Sequence, residues 1–283
     1  MPVCFFTSDP HGRQERYEKL WRAVARERPA ALFLGGDLFP HSFARGRGEG
    51  DFLEDFLAFG FRRLRRRMGR CYPQVFVILG NDDGRGEEAR VEALADEGLW
   101  HYVHERRLLF EEHPVFGYAY VPPTPFRLKD WERYDVSRYV PPGALSPEEG
   151  TRLVPVPEEE VRHATIQEDL ERLAAGEDLA RALFLFHGPP HETALDRVAA
   201  DGKMVDHVPL DLHVGSIAIR RFIEKRQPLL TLHGHVHESP RLTGAWRERM
   251  GRTWMFSGCH DGRELPLVTF DLDDLDRAER PLL

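Results

Sequence analysis

The chain has 283 residues, 41% of them hydrophobic and 30% charged, with a net charge of −8. That length and apolar content suit a folded α/β chain with a full core and exclude a disordered one. The acidic balance disfavours broad binding to nucleic acid or an anionic membrane, although bound metal ions would reverse the field locally for a small anionic substrate.

The elements follow in chain order. Residues 3–7 form an apolar run that predicts a buried strand, with no basic leader or long apolar stretch before it, so no signal peptide is expected. A helix is predicted over 14–28, with Tyr17, Leu20, Trp21 and Val24 on one face. A strand at 31–34 runs into Gly35-Gly36-Asp37. A helix over 52–68 ends in R-R-L-R-R-R, which complements the negative end of the helix dipole. A strand at 75–79 runs into Gly80-Asn81-Asp82-Asp83. Residues 121–143 are rich in proline and aromatics, and the whole stretch 121–157 reads as an ordered insertion within one domain spanning 1–283. Around Phe126, Trp131, Tyr134 and Tyr139 it is either a lid or wall of a substrate pocket or a cover over an apolar sheet edge. A helix is predicted over 158–174, with Val161, Ile166, Leu170 and Leu173 inward. A strand at 182–186 runs into His187-Gly188-Pro189-Pro190, and one at 229–232 into His233-Gly234-His235. Strands at 254–257 and 267–270 close the fold.

No run approaches the ~20 apolar residues that span a bilayer. Cys4, Cys71 and Cys259 are odd in number and scattered, so a disulfide framework is not expected and a cytoplasmic location is.

Polar residues recur where the strands end. Asp9-x-His11, Gly36-Asp37, Gly80-Asn81, His187-Gly188 and Gly234-His235-x-His237 each follow an apolar run. Singly, each has an ordinary explanation: Asp37 as an N-cap, Asn81 as a turn residue, His187 as a core histidine. Jointly they are stronger, because right-handed crossovers between parallel strands bring such ends to one rim, where open α/β sheets bind ligands. There the set offers carboxylate, imidazole and amide ligands for two divalent metals.

With these blocks in this order the sequence resembles the calcineurin-like metallophosphoesterases. Its H-G-P-P-H-E-T at 187–193 and the stretch from Val214 through L-H-G-H-V-H-E-S resemble the Icc-related branch of that family. The resemblance implies an α/β fold of four layers, α/β/β/α, with two sheets flanked by helices. It implies that Asp9, His11 and His237 hold one metal, that Asn81, His187 and His235 hold a second, and that Asp37 bridges them. Two divalent ions are the expected cofactors, Mn favoured, with Fe, Zn, Co or Ni as the other candidates. A metal-activated hydroxide would then attack phosphorus in line, with no protein nucleophile. His233 and His260 do not match ligand positions.

One departure stands out. Many members of the family read Gly-Asn-His at the third block, and that His contacts phosphate and can protonate the leaving group. Here Asp82 holds the position and Asp83 follows it. A carboxylate there repels a dianionic monoester more than a diester, so a small phosphodiester is the favoured substrate. Asp82 and His191 are the candidate catalytic residues, His191 as a substitute acid near His187. The alternatives are a weakly catalytic binding scaffold on the same fold, a phosphomonoesterase, or a nucleotide pyrophosphate hydrolase. The oligomeric state is not legible from the sequence.

Overall fold

Apolar runs alternate with amphipathic stretches along the chain, and a computed structural model turns each into an element. It describes residues 3–40, 50–205 and 207–283. In order these are β1 (Val3–Thr7), α1 (Gln14–Glu27), β2 (Ala31–Gly35), α2 (Phe59–Met68), β3 (Gln74–Ile78), α3 (Glu88–Asp96), β4 (His101–Tyr102), β5 (Arg107–Phe110) and β6 (His113–Tyr118). The rest are α4 (Glu158–His163), α5 (Ile166–Leu173), β7 (Leu183–Phe186), β8 (Met204–Val205), β9 (Val208–Pro209), α6 (Ile217–Arg226), β10 (Leu230–His233), α7 (Ser239–Thr243), β11 (Arg247–Met250), β12 (Thr253–Ser257), β13 (Val268–Asp271) and β14 (Asp274–Glu279).

Two six-stranded sheets result. The first has the order β14-β13-β1-β2-β3-β4, with β1 to β4 parallel and β13 antiparallel to β1. The second has the order β11-β12-β10-β7-β6-β5, with β12, β10, β7 and β6 parallel and antiparallel strands at both edges. Strands such as A-L-F-L-G in β2 are apolar throughout because both of their faces are covered. On the inner side Phe33 and Phe76 of the first sheet meet Phe110 of the second, at 6.5 and 6.1 Å between ring centres. Phe256 and Phe270 meet at 5.8 Å. On one outer side Tyr17 and Trp21 of α1 pack on Phe56 and Phe61. On the other, Phe222 of α6 packs edge-on against Phe184. The architecture is the expected α/β/β/α sandwich. Among the described residues no helix is long and apolar enough to cross a membrane.

Two helices depart from the expected continuous form. The one expected over 52–68 begins as a π-helix, Phe52–Ala58, capped by the Asp51 side chain on the Glu54 N–H, before α2 takes over. The wider turn brings Phe52 and Phe56 together at 5.1 Å and lays both against Tyr17. The helix expected over 158–174 is two helices. Ala164 is extended, Ile166 N–H donates to Tyr134 O, and the Thr165 hydroxyl caps α5 through the Glu168 N–H. Thr165-x-x-Glu168 is a capping-box sequence, a start signal inside the predicted helix.

Segment 121–157 is irregular and ordered by its polar groups. Lys129 and Glu132 form a fully buried ion pair, with the Thr124 hydroxyl and N–H also donating to Glu132. Arg133 pairs with Asp169 and Glu160 and lies 3.9 Å above the Tyr120 ring. Trp131 is fully buried between His104 and Tyr120. Trp131 and Tyr134 are therefore buried, while Phe126 and Tyr139, at 57% and 69% exposure, face solvent. The Asp130 carboxylate accepts from the N–H groups of Arg85 and Leu153, tying the segment to the chain just beyond Asp83.

Candidate metal centre

The C-terminal ends of β1, β2, β3, β7 and β10 meet at one rim, where backbone hydrogen bonds lace their loops together. Asp9 and His11 N–H groups donate to Gly36 and Asp37 carbonyls. Gly234 N–H donates to His187 O, Gly258 N–H to His233 O, and Ser8 N–H to Gly258 O. The His187 ring crosses between the sheets, its Nδ1–H donating to Gly35 O at 2.8 Å. Asp9, His11, Asp37 and His235 all have positive φ, at 57°, 48°, 51° and 74°. Such backbone costs of order 1–3 kcal/mol per residue and persists where the surroundings impose it, most often at functional sites.

The side chains at these turns converge. Asp9, His11, Asp37 and His237 each present one atom of a set lying within 4.8 Å of one another, a group that could hold a metal ion. His11 Nε2 and His237 Nε2 are 2.9 Å apart, and His237 Nε2 is 3.2 Å from Asp9 Oδ1. On the other side of Asp37, His187 Nε2 lies 3.4 Å from Asp37 Oδ2 and 3.0 Å from Asn81 Oδ1. The His235 ring centre is 5.3 Å from that of His187, and the His235 backbone N–H donates to both Asp9 carboxylate oxygens at 3.1 Å. All seven sequence-predicted ligand positions therefore meet at one rim, with Asp37 facing both His11 and His187. Gly80 makes this approach possible: a Cβ there would stand 2.3 Å from Asp37 Oδ1 and 2.5 Å from His187 Cε1.

The electrostatics are those of carboxylates and imidazoles packed closely in a buried rim. Burial raises the pKa of Asp9, but the His237 hydrogen bond and the surrounding imidazoles outweigh it and hold the carboxylate far below its usual range. Asp37 behaves likewise, and His187 and His11 bring it down to about 2. His187 is pushed up to about 10, against its own burial, by the Asp37 charge and hydrogen bond. His235 is driven down to about 4 by burial and by His187. Oxygen and imidazole donors converging in this way, each low in energy as an anion or adjustable as a base, are a donor set that fits divalent Mn, Fe, Zn or Co.

The remaining candidates are placed as follows. Asp82 is partly exposed at the rim, its N–H donating to Asp37 Oδ1 at 2.8 Å. Asp83 is buried, and its carboxylate accepts N–H groups from Leu38, Phe39 and Gly80, clamping the loop after β2 to the loop after β3. Burial and Asp37 push its pKa up to about 8. His191 follows β7 four residues beyond His187, with Nε2 3.3 Å from Asp211 Oδ2 and its ring 6.1 Å from that of His213. His233 is buried, bonded to Gly188 O and Thr231 Oγ1 and stacked on Phe186, a packing role. His260 pairs with Glu264. Sequence reasoning missed Cys259, whose Sγ–H donates to Asp9 Oδ2 at 3.2 Å, and Arg16, which donates to Asp9 O at 2.7 Å. A signal for Cys259 was available: Ser257-Gly258-Cys259 ends β12 in the same strand–glycine–polar pattern as the other blocks.

Comparison with known proteins agrees with this geometry. The calcineurin-like phosphoesterase family profile matches residues 4–239. One crystal structure superposes at TM-score 0.62 and 17% identity, covering 100% of this chain and 99% of the other. TT1561 of Thermus thermophilus superposes at TM-score 0.56 and 19% identity, covering 99% of this chain and 98% of its own. A dimetal phosphatase from Danio rerio does so at TM-score 0.51 and 12% identity, covering 95% and 91%. At such identities the likeness establishes the fold alone. No curated protein sequence matches the chain at a significant level.

Proposed function

The chain belongs to the calcineurin-like phosphoesterase family, and from that premise we propose that it is a dinuclear-metal phosphodiesterase acting on a small phosphate ester. The observation that carries this reading is Asp37, a buried carboxylate facing one imidazole pair and Asp9 on one side and His187 with Asn81 on the other. Asp9, His11 and His237 would hold one ion, Asn81, His187 and His235 the other, with Asp37 shared. Two such ions, Mn favoured, supply Lewis acidity toward phosphate oxygens and lower the pKa of water. The chain's own residues do the rest. The laced loops and the Asp83 clamp hold the donors rigid. Asp82 adds a negative charge at the rim, which costs a dianionic monoester more than a monoanionic diester. His191 is the proposed proton donor to the leaving group, with Asp211 beside it. In this reading residues 1–283 are one domain carrying an insertion at 121–157, and the enzyme works in the cytoplasm.

Turnover of a chromogenic phosphodiester and its matching monoester, before and after stripping metal and adding Mn, tests the proposal. Metal-dependent turnover with the diester preferred is expected. A monoester preference would overturn the substrate class, and turnover indifferent to metal would overturn the mechanism.

Metal binding should also release protons. His187 is pushed up to about 10 in the metal-free centre by Asp37, against its burial, and carries a proton at neutrality, and Asp9 shifts His237 upward too; each binds a cation only with Nε2 deprotonated. Affinity for Mn is therefore expected to rise with pH up to about 10, where His187 loses its proton, by about tenfold per pH unit for that proton. Calorimetry in buffers of different ionisation enthalpy reads the proton count directly, and a flat affinity would exclude this linkage.

A further inference from the structure

We propose that Asp82 is a positioning residue for His11, holding the imidazole so that Nε2 is presented to the first metal; the inference rests on the dinuclear reading above. Asp82 Oδ2 lies 3.6 Å from His11 Nδ1. That nitrogen is on the opposite edge of the ring from Nε2, which meets His237 Nε2 at 2.9 Å and Asp37 Oδ2 at 3.8 Å. Asp82 is itself held at its side chain and at its backbone. Its Oδ1 accepts from Asn81 Nδ2 at 3.3 Å, and the Asp82 N–H donates to Asp37 Oδ1 at 2.8 Å.

At 3.6 Å the Asp82 carboxylate lies beyond hydrogen-bond distance of Nδ1 and acts on the ring through its charge. It keeps the proton on Nδ1, frees the lone pair on Nε2 and makes that nitrogen a stronger donor. His187 is held by a hydrogen bond instead, Nδ1 donating to the Gly35 carbonyl at 2.8 Å with Nε2 facing Asn81 and Asp37. The two sides of the centre thus orient their imidazoles differently, one by a hydrogen bond to a carbonyl and the other by the charge of a carboxylate. The residue at the position where many relatives have a histidine has, in this chain, turned its side chain from the leaving group to the back of a ligand. Its charge stays at the rim, so the preference for a diester is unaffected.

The test is Mn binding to the metal-stripped protein, followed by calorimetry, for wild type, Asp82→Ala, Asp82→Asn, His11→Ala and the Asp82→Ala/His11→Ala double variant. Asp82→Ala is expected to weaken one of the two Mn sites by about 10–100-fold. Asp82→Asn should lose most of that affinity too, since it keeps the shape and removes the charge, and that shape guards against a folding defect. In the His11→Ala background the Asp82 change should add nothing. Nitrogen-15 spectra of the metal-free protein should show His11 protonated at Nδ1 in wild type and losing that preference in Asp82→Ala. Two tight Mn sites in wild type with both unchanged in Asp82→Ala would overturn this inference alone, as would an effect that adds fully to that of His11→Ala. A wild type that binds no Mn would overturn the dinuclear reading and the inference with it.

Discussion

Asp37→Ala is expected to lower kcat/KM for a phosphodiester by at least about 10³-fold in the presence of Mn, equivalent to about 4 kcal/mol of transition-state stabilisation. Among the described residues at the rim, Asp37 is the carboxylate that faces both groups of donors. Its Oδ2 lies 3.4 Å from His187 Nε2 and 3.8 Å from His11 Nε2, and its Oδ1 fixes the Asp82 backbone. Removing it takes away a shared anionic ligand and leaves imidazoles facing one another without the charge between them. Asp37→Asn separates shape from charge: it should fold as wild type and remain inactive, with fewer than two Mn bound. Retention of turnover within about tenfold of wild type in either variant would sink the bridging role.

Gly80→Ala should have the next largest effect, through volume alone. Its methyl group would stand 2.3 Å from Asp37 Oδ1, 2.5 Å from His187 Cε1 and 2.6 Å from the Asp37 N. The last of these is backbone and cannot swing aside. Overpacking of this kind costs about 1–3 kcal/mol of stability. Displacing the two ligand side chains by even ~1 Å should cost about 10²-fold in turnover. Thermal melting together with Mn-dependent hydrolysis reads both effects, and a variant with wild-type activity would mean that the rim is far softer than its hydrogen bonding implies.

The parts of this fold legible in the sequence were those where two signals coincide. At β1, β2, β3, β7 and β10 a short apolar run is punctuated by glycine or a polar ligand type, and the predicted strands fall within a residue of the observed ones. Where only one signal exists, elements escape. Glu111 and Glu112 lie between β5 and β6, Pro114 interrupts β6, and the edge strand β5 leaves Leu109 in solvent. In α3 only Val91 and Leu94 are buried, too few to mark a face. The convergence of the seven site residues was inferable from order and strand ends. The contacts of Asp82 with His11 and of Cys259 with Asp9 were not, because they depend on side-chain direction between residues far apart in sequence, 250 positions in the second case.

The strand order of the first sheet has a bearing on how the molecule is made. Asp9 and His11 leave β1, whose neighbours are β2 on one edge and β13, from near the far end of the sequence, on the other. His237 lies 226 residues beyond His11. During synthesis the first three strands and the residues from Asp9 to Asn81 emerge long before β7, β10, β12 and β13, so β1 waits with one edge open. Pairings so distant in sequence pay loop-closure entropy first and gain contacts late, which makes them slow. A divalent ion meets only Asp9, His11, Asp37 and Asn81 on the early chain, and the rest of the donor set arrives with β7 and β10. Its full donor set forms only once the two sheets are complete, and the unpaired edge of β1 is where a stalled or truncated chain would be most open to aggregation.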